Sequence, residues 1–339
     1  MTNQHNVQIK SILNRFEKKH KKDKKKIQCV VENCTTRAIS SHSQQQNGQL
    51  KVIQENSKVY ALHDNLCNTY NIDDGELDFK FELTPISKAS TFPGLCNFHD
   101  TSIFKCIESG LTEKITETQA ATFMYRSNCY ERYRRDRELK RHKFLIDNTV
   151  DLISYQNWKS LKDKYENDID DYKKHTLRDL ELSYQQLENN QTPRYIHIIV
   201  SGNLGVSCCS KVNMHLDRYS ENLDSYPERR IPSFSFNIVP DENKTHIVLA
   251  WLDKDDQFSS LLKEQTSTND RIVPFINRLV FCETEDLCIM PSLWDAIRPI
   301  HRTKIMKFME HPNTRGFFIN TSDVPIILSN MNIEKVINH

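Results

Sequence analysis

Cys29-Val30-Val31-Glu32-Asn33-Cys34, answered well downstream by Leu95-Cys96-Asn97-Phe98-His99-Asp100, is the pair of segments whose reading decides the N-terminal fold. Two cysteines with four residues between them can turn the backbone around one metal ion. A Cys-x-x-His pair opening a helix can supply two further ligands. Cys29, Cys34, Cys96 and His99 then make a closed S3N set, the kind that suits tetrahedral structural zinc. The flanks agree with that arrangement. Phe92-Pro93-Gly94-Leu95 is turn-forming, and past Asp100 the residues Ile103, Phe104 and Ile107 share one helical face. Three other cysteines compete as ligands. Cys67 could replace one of the four, Cys106 lies well past the ligand pair and reads as core, and Cys129 falls in a later helical stretch.

Immediately before the first cysteine stands Lys18-Lys19-His20-Lys21-Lys22-Asp23-Lys24-Lys25-Lys26. Such a run repels itself and stays solvated, yet it attracts polyanions because each neutralised phosphate releases counterions. Residues 1–26 are therefore expected to form a basic arm after a short amphipathic start (Val7, Ile9, Ile12, Leu13, Phe16), with Lys21, Lys22, Lys24 and Lys25 as candidate nucleic-acid contacts. A second basic stretch, Arg126 to Lys143, interleaves Tyr130 and Tyr133. Its Arg134 and Arg135 are candidate phosphate grips, and the tyrosines candidate stacking platforms. The competing account is a solvated helix face paired with Glu131 and Glu138.

Composition sets the outer bounds. The chain has 339 residues, 37% hydrophobic and 27% charged, with a formal net charge of +1, which is polar but far from a disordered composition. Seven glycines, none in a phosphate-loop or dinucleotide pattern, argue against nucleotide-dependent chemistry of those kinds. No segment approaches the roughly 18 apolar residues of a membrane span, and the N-terminal residues lack a signal-type apolar stretch. Ten cysteines without such a signal suggest a reducing compartment. The expectation is a soluble cytoplasmic protein with no membrane partner.

Periodicity divides the rest. In residues 27–111, Lys58 to Leu62 and Phe79 to Leu83 alternate as half-buried strands. Residues 112–192 read as a helical connector, ended by Pro193. Beyond it, residues 195–200, 233–239 and 246–251 are strand-like, with a hairpin loop at 241–244, and helices are expected near 258–262 and 291–309. The fold class is α+β: a zinc-stapled N-terminal unit, a helical middle, and an antiparallel-sheet α+β domain at 193–339. That domain offers no catalytic set; Cys208, Cys209, Cys282 and Cys288 read as small buried hydrophobes and His197, His215 and His246 as scattered.

The Cys-x4-Cys pair, then Ile39-Ser40-Ser41-His42-Ser43, then Leu95 to Asp100, with Phe104 and Glu108 after it, resembles a divergent HNH-type endonuclease finger, a treble-clef (ββα-like) zinc unit. The resemblance covers roughly residues 27–110. It implies that His42 is the general base activating water against a phosphodiester, a task that suits a group titrating near neutrality. It makes Asp100, where the family usually has a histidine, the ligand of a catalytic Mg2+ or Mn2+. Glu108, two helical turns on, shares that ion or orients a ligand. The family's central asparagine has two candidates here, Asn56 and Asn65, and the stretch between His42 and Cys96 must hold an insertion.

The resemblance thus implies a metal-dependent endonuclease that cuts nucleic acid, DNA rather than RNA, in a microbial defence or mobile-element role. The alternative is a non-catalytic zinc finger that binds nucleic acid or a protein partner. In either case the C-terminal domain would serve as sensor, partner surface or dimerisation unit.

Overall fold

The computed structural model describes residues 3–62, 70–71, 76–77, 80–189, 191–213, 231–310 and 324–339. Cys67, Asn65, His215 and the start of the strand expected at Phe79 lie outside them. The basic arm is a helix, α1 (Asn3–Asp23). Its apolar stripe of Ile9, Ile12, Leu13 and Phe16 is buried, so the amphipathic start overrides the repulsion within the lysine run.

Strand β1 (Ser40–His42) and the one-turn helix α2 (Lys51–Ile53) follow. Next come β2 (Lys58–Leu62), the two-residue strands β3 (Tyr70–Asn71) and β4 (Glu76–Leu77), β5 (Phe81–Pro85) and β6 (Thr91–Pro93). β1 and β6 pair antiparallel, with His42 opposite Thr91 and Ser40 opposite Pro93. Helix α3 (Asn97–Glu108) starts directly after them, completing a ββα arrangement.

The insertion between β1 and β6 does not stay with this unit. β2 pairs antiparallel with β5 on one side and with β11 on the other, which makes β2 and β5 the end of an eight-stranded sheet. The segments read as separate units at 27–111 and 193–339 therefore share one sheet.

Helix α4 (Glu117–Thr149) is 33 residues long, about 50 Å. It opens on a capping box in which Thr116 accepts from the Gln119 amide and Gln119 reaches back to the Thr116 amide. Helices α5 (Tyr155–Asp171) and α6 (Arg178–Glu188) then fold back along α4.

The sheet strands are β7 (Arg194–Ser201), β8 (Val206–Asn213), β9 (Ser233–Pro240) and β10 (Lys244–Trp251). Helices α7 (Ser260–Gln265) and α8 (Asn269–Arg278) lead to β11 (Leu287–Ile289), followed by α9 (Pro291–Ala296), α10 (Pro299–Glu310) and β12 (Asn332–Asn338). The strand order is β12-β7-β10-β9-β8-β11-β2-β5, antiparallel throughout.

Both faces of the central strands β7 to β10 are covered, and β10 shows it residue by residue. Ile247, Leu249 and Trp251 of β10 pack into a core with Phe275 and Ile276 of α8 and Trp294 of α9. Val248, Ala250 and Leu252 point the other way, into a core with Phe123 of α4 and Phe92, Leu95 and Phe104 of the ββα unit. A sheet buried on both faces carries continuous apolar runs rather than alternation, which is how β7 and β10 read; β9 alternates Ser233-Phe234-Ser235-Phe236-Asn237-Ile238 and buries its polar side chains as well. The segment 112–192 is thus a helical layer of the core as well as a middle segment. The buried cysteines Cys208, Cys209, Cys282 and Cys288 belong to this packing.

Candidate metal centre and the His42 pocket

The knuckle between Cys29 and Cys34 is shaped by backbone bonds before any metal enters. The Cys34 amide donates to the Val31 carbonyl at 3.1 Å and the Cys29 amide to Thr36 at 2.9 Å. Asn33 takes the left-handed φ of 61° that the tight turn needs, a conformation asparagine tolerates better than most residues. The Val30 amide then reaches the Gly94 carbonyl at 3.0 Å, docking the knuckle on the strand that leads into α3. Gly94 is required there, because a Cβ would lie 2.4 Å from the Phe92 ring.

This docking brings all four ligand candidates together. Cys29 Sγ and Cys96 Sγ each lie 3.3 Å from His99 Nδ1, and Cys34 Sγ lies 3.9 Å from Cys96 Sγ. All four donor atoms fall within 4.8 Å of one another, and the cluster could hold a metal ion. Burial pushes the Cys29 thiol up to about 11, whereas the Thr36 amide draws Cys34 down. Of the competing cysteines, Cys106 bonds Thr122 Oγ1 and the Ile103 carbonyl, and Cys129 is fully buried on α4. Both are core residues.

His42, at the end of β1, faces a different pocket. Its Nδ1 lies 3.1 Å from the Ala89 carbonyl. A carbonyl only accepts, so Nδ1 carries the proton and Nε2 of the neutral ring is left with its lone pair. Burial holds the His42 pKa below its usual value, opposed by the Ala89 and Gln46 hydrogen bonds; Asp100 raises it further and Arg126 lowers it. Asn56 is not part of this pocket: with φ of 53° it forms the turn closed between Glu55 and Lys58.

Asp100 sits in the first turn of α3, with its Oδ1 buried and without a hydrogen-bond partner among the described residues. The last residue of the same helix is Glu108. Its carboxylate is held by Arg126, and its carbonyl accepts from Gln45 Nε2 at 3.1 Å. Arg126 is 1% exposed and lies 4.1 Å over the Phe104 ring. Its Nε and Nη1 have no hydrogen-bond partner among the described residues. In sequence Arg126 was only the first residue of a basic stretch, and nothing local marks it as the one that turns inward.

Beside this pocket, Ser43 Oγ donates to Asp286 Oδ2 at 2.5 Å, and Gln44 Nε2 donates to the Asp286 carbonyl at 2.9 Å. Burial lifts the Asp286 pKa to about 7, opposed by hydrogen bonding from the Ser43 and Gln44 side chains to its carboxyl. The pair ties the end of β1 to the residue just before β11.

The nucleic-acid candidates separate. Lys21, Lys22 and Lys25 are exposed on or just after α1. Lys24 lies with its ammonium 5.4 Å over the Tyr133 ring, its pKa lowered by burial and by Arg137. Arg134 and Arg135 are committed to carboxylates: both bind Glu131, Arg134 also binds Glu285, and Arg135 binds Glu138. At these two residues the cations are paired with Glu131 and Glu138 of the same helix and with Glu285.

In the C-terminal region His197 and His246 stack across β7 and β10, with Nε2 and Nδ1 3.0 Å apart. Burial lowers both, His197 to about 3; they are packed core residues. Among the described residues no helix is long and apolar enough to cross a membrane. No protein-family model, no curated protein and no solved structure matches this chain.

Proposed function

We propose that the chain is a metal-dependent phosphodiester hydrolase of HNH type, acting on nucleic acid with DNA favoured, and stapled by structural zinc. The observation that carries this reading is the His42 imidazole, whose tautomer is fixed by the Ala89 carbonyl within electrostatic reach of Asp100 and Arg126.

For the staple, the donor set fits zinc. A tetrahedral ion with bonds of about 2.3 Å to sulfur and 2.0 Å to nitrogen needs S···S edges near 3.8 Å and S···N edges near 3.5 Å. The distances of 3.9 Å and 3.3 Å are close to these. Cys29, Cys34, Cys96 and His99 would hold the ion, which contributes folding free energy directly.

For the chemistry, His42 Nε2 takes a proton from water as the water oxygen attacks phosphorus and the P–O bond to the leaving oxygen breaks. Asp100 Oδ1, buried and unpartnered, fits a hard-cation ligand. A Mg2+ or Mn2+ ion bound there would stabilise charge on the departing oxygen. Arg126, with two unpartnered guanidinium nitrogens, adds positive charge to the same pocket. Glu108, held by Arg126, acts as that arginine's anchor. The same Glu108–Arg126 pairing favours the second reading, a zinc finger that binds nucleic acid or protein without cutting, since it removes a carboxylate from the ion site.

Plasmid cleavage with Mg2+, Mn2+ or no added divalent ion, comparing wild type with His42→Ala, tests the choice. Nicking that needs the ion and falls at least a hundredfold in the variant supports hydrolysis. A folded, zinc-loaded wild type that leaves plasmid intact under every ion refutes it.

A further inference from the structure

A cavity of about 690 Å3 lies between α1, α4 and the metal knuckle, away from the residues assigned to catalysis. That volume matches a small-molecule site. Its walls bring together the two basic stretches that are far apart in sequence: Lys19, Lys24 and Lys26 from the α1 side, and Arg132, Lys140 and Lys143 from α4.

The charge is incompletely balanced. Three aspartates border the cavity, and each is already engaged: Asp23 with Lys26 at 3.6 Å, Asp136 with Lys140 at 2.5 Å, and Asp147 with Lys143 at 3.7 Å. Lys19 and Lys24 have no carboxylate at ion-pair distance among the described residues. Their ammoniums lie instead over the Phe144 and Tyr133 rings, at 5.7 and 5.4 Å.

The wall beneath them is built rather than loose. Phe16 packs on His20 and on Phe144 with ring centroids 5.7 Å apart in each case, and His20 Nε2 lies 3.2 Å from the Tyr133 hydroxyl. Two consequences of crowded, partly desolvated positive charge are visible. Lys24 is shifted toward its neutral form by burial and Arg137, and His20 is driven down to about 4 by burial and then by Arg137, Lys24 and Lys140, with Asp136 opposing. A multiply charged anion would relieve all of this at once.

We infer that this cavity is a binding site for a ligand carrying two or more phosphates, of about nucleotide size. The aromatic floor, with Gln28 and Pro93 also lining the cavity, suits either a free nucleoside diphosphate or consecutive backbone phosphates of a nucleic-acid strand. The site is independent of cleavage chemistry, because none of its residues belongs to the His42 pocket.

Calorimetric titration of the full zinc-loaded chain with inorganic pyrophosphate, with ADP, and with a short single-stranded oligonucleotide tests this at low salt. Wild type should bind pyrophosphate, and the Lys19→Gln/Lys24→Gln double variant should bind it about tenfold more weakly or worse. Lys307→Gln, on the remote α10, should bind as wild type does. Displacement of pyrophosphate by ADP identifies a free nucleotide as the ligand; displacement by the oligonucleotide alone identifies the strand. Absence of binding by all three probes overturns the inference, and so does binding that the double variant leaves unchanged. Both readouts are indifferent to whether plasmid is cut.

Discussion

Asp286→Asn should remove a pH dependence of stability that is built into the join between the ββα unit and the sheet. The Asp286 carboxyl is buried, accepts from Ser43, and has its pKa lifted to about 7 from the ordinary carboxylate value of 3.8. Its folded pKa is raised, so its contribution to stability is complete below the unfolded pKa and is lost as pH rises through the folded one. Between pH 5.5 and 8 the folded chain gives up nearly one proton from this group, and the unfolded chain almost none. Integrating with a folded value of 7 gives a loss of about 2 kcal/mol over that window. Asparagine keeps an oxygen for Ser43 and cannot ionise. The assay is urea unfolding followed at Trp251 and Trp294, both in the sheet core, at several pH values for both proteins. The stability of wild type minus variant should fall by about 2 kcal/mol from pH 5.5 to 8. A difference that stays flat across the window would refute the placement of a titrating carboxyl at this join.

Two further outcomes follow from the metal knuckle and the exposed lysines. Cys29→Ser should lower bound zinc below one ion per chain and reduce the unfolding midpoint, read by metal analysis and thermal melting; unchanged stoichiometry would remove Cys29 from the ligand set. Replacing Lys21, Lys22 and Lys25 together by glutamine should flatten the slope of log affinity for duplex DNA against log salt by up to about three. An unchanged slope would leave them as solvated surface.

How much of this was legible in the sequence depends on how local the information is. The metal cluster was, because Cys-x4-Cys and Cys-x-x-His each fix a turn within a few residues and only their docking is long-range. The strands β7 and β10 were, through nearly continuous apolar runs, and β9 was, through its alternating Phe234, Phe236 and Ile238. β8 was not: Val206-Ser207-Cys208-Cys209-Ser210 is buried on both faces yet is built of small polar and sulfur side chains that no periodicity test rewards. The inward turn of Arg126 and the Ser43–Asp286 bond, 243 residues apart, depend on tertiary placement alone. Helix α1 was half legible, since its apolar stripe was visible while its lysines pointed to a free arm. They remain exposed or line the cavity, and the stripe decides the packing.

The shared sheet also has a temporal consequence. β2 must pair with β11, and Ser43 must find Asp286 243 residues later in the chain. A ribosome adding about 5 to 20 residues per second takes roughly ten to fifty seconds to supply that partner. For that interval the nascent chain holds β2 and β5 without their neighbour on the β11 side, an open edge of the sort that recruits other strands. The metal knuckle, whose four ligands all emerge within the first hundred residues, can close first and anchor both ends of the waiting segment.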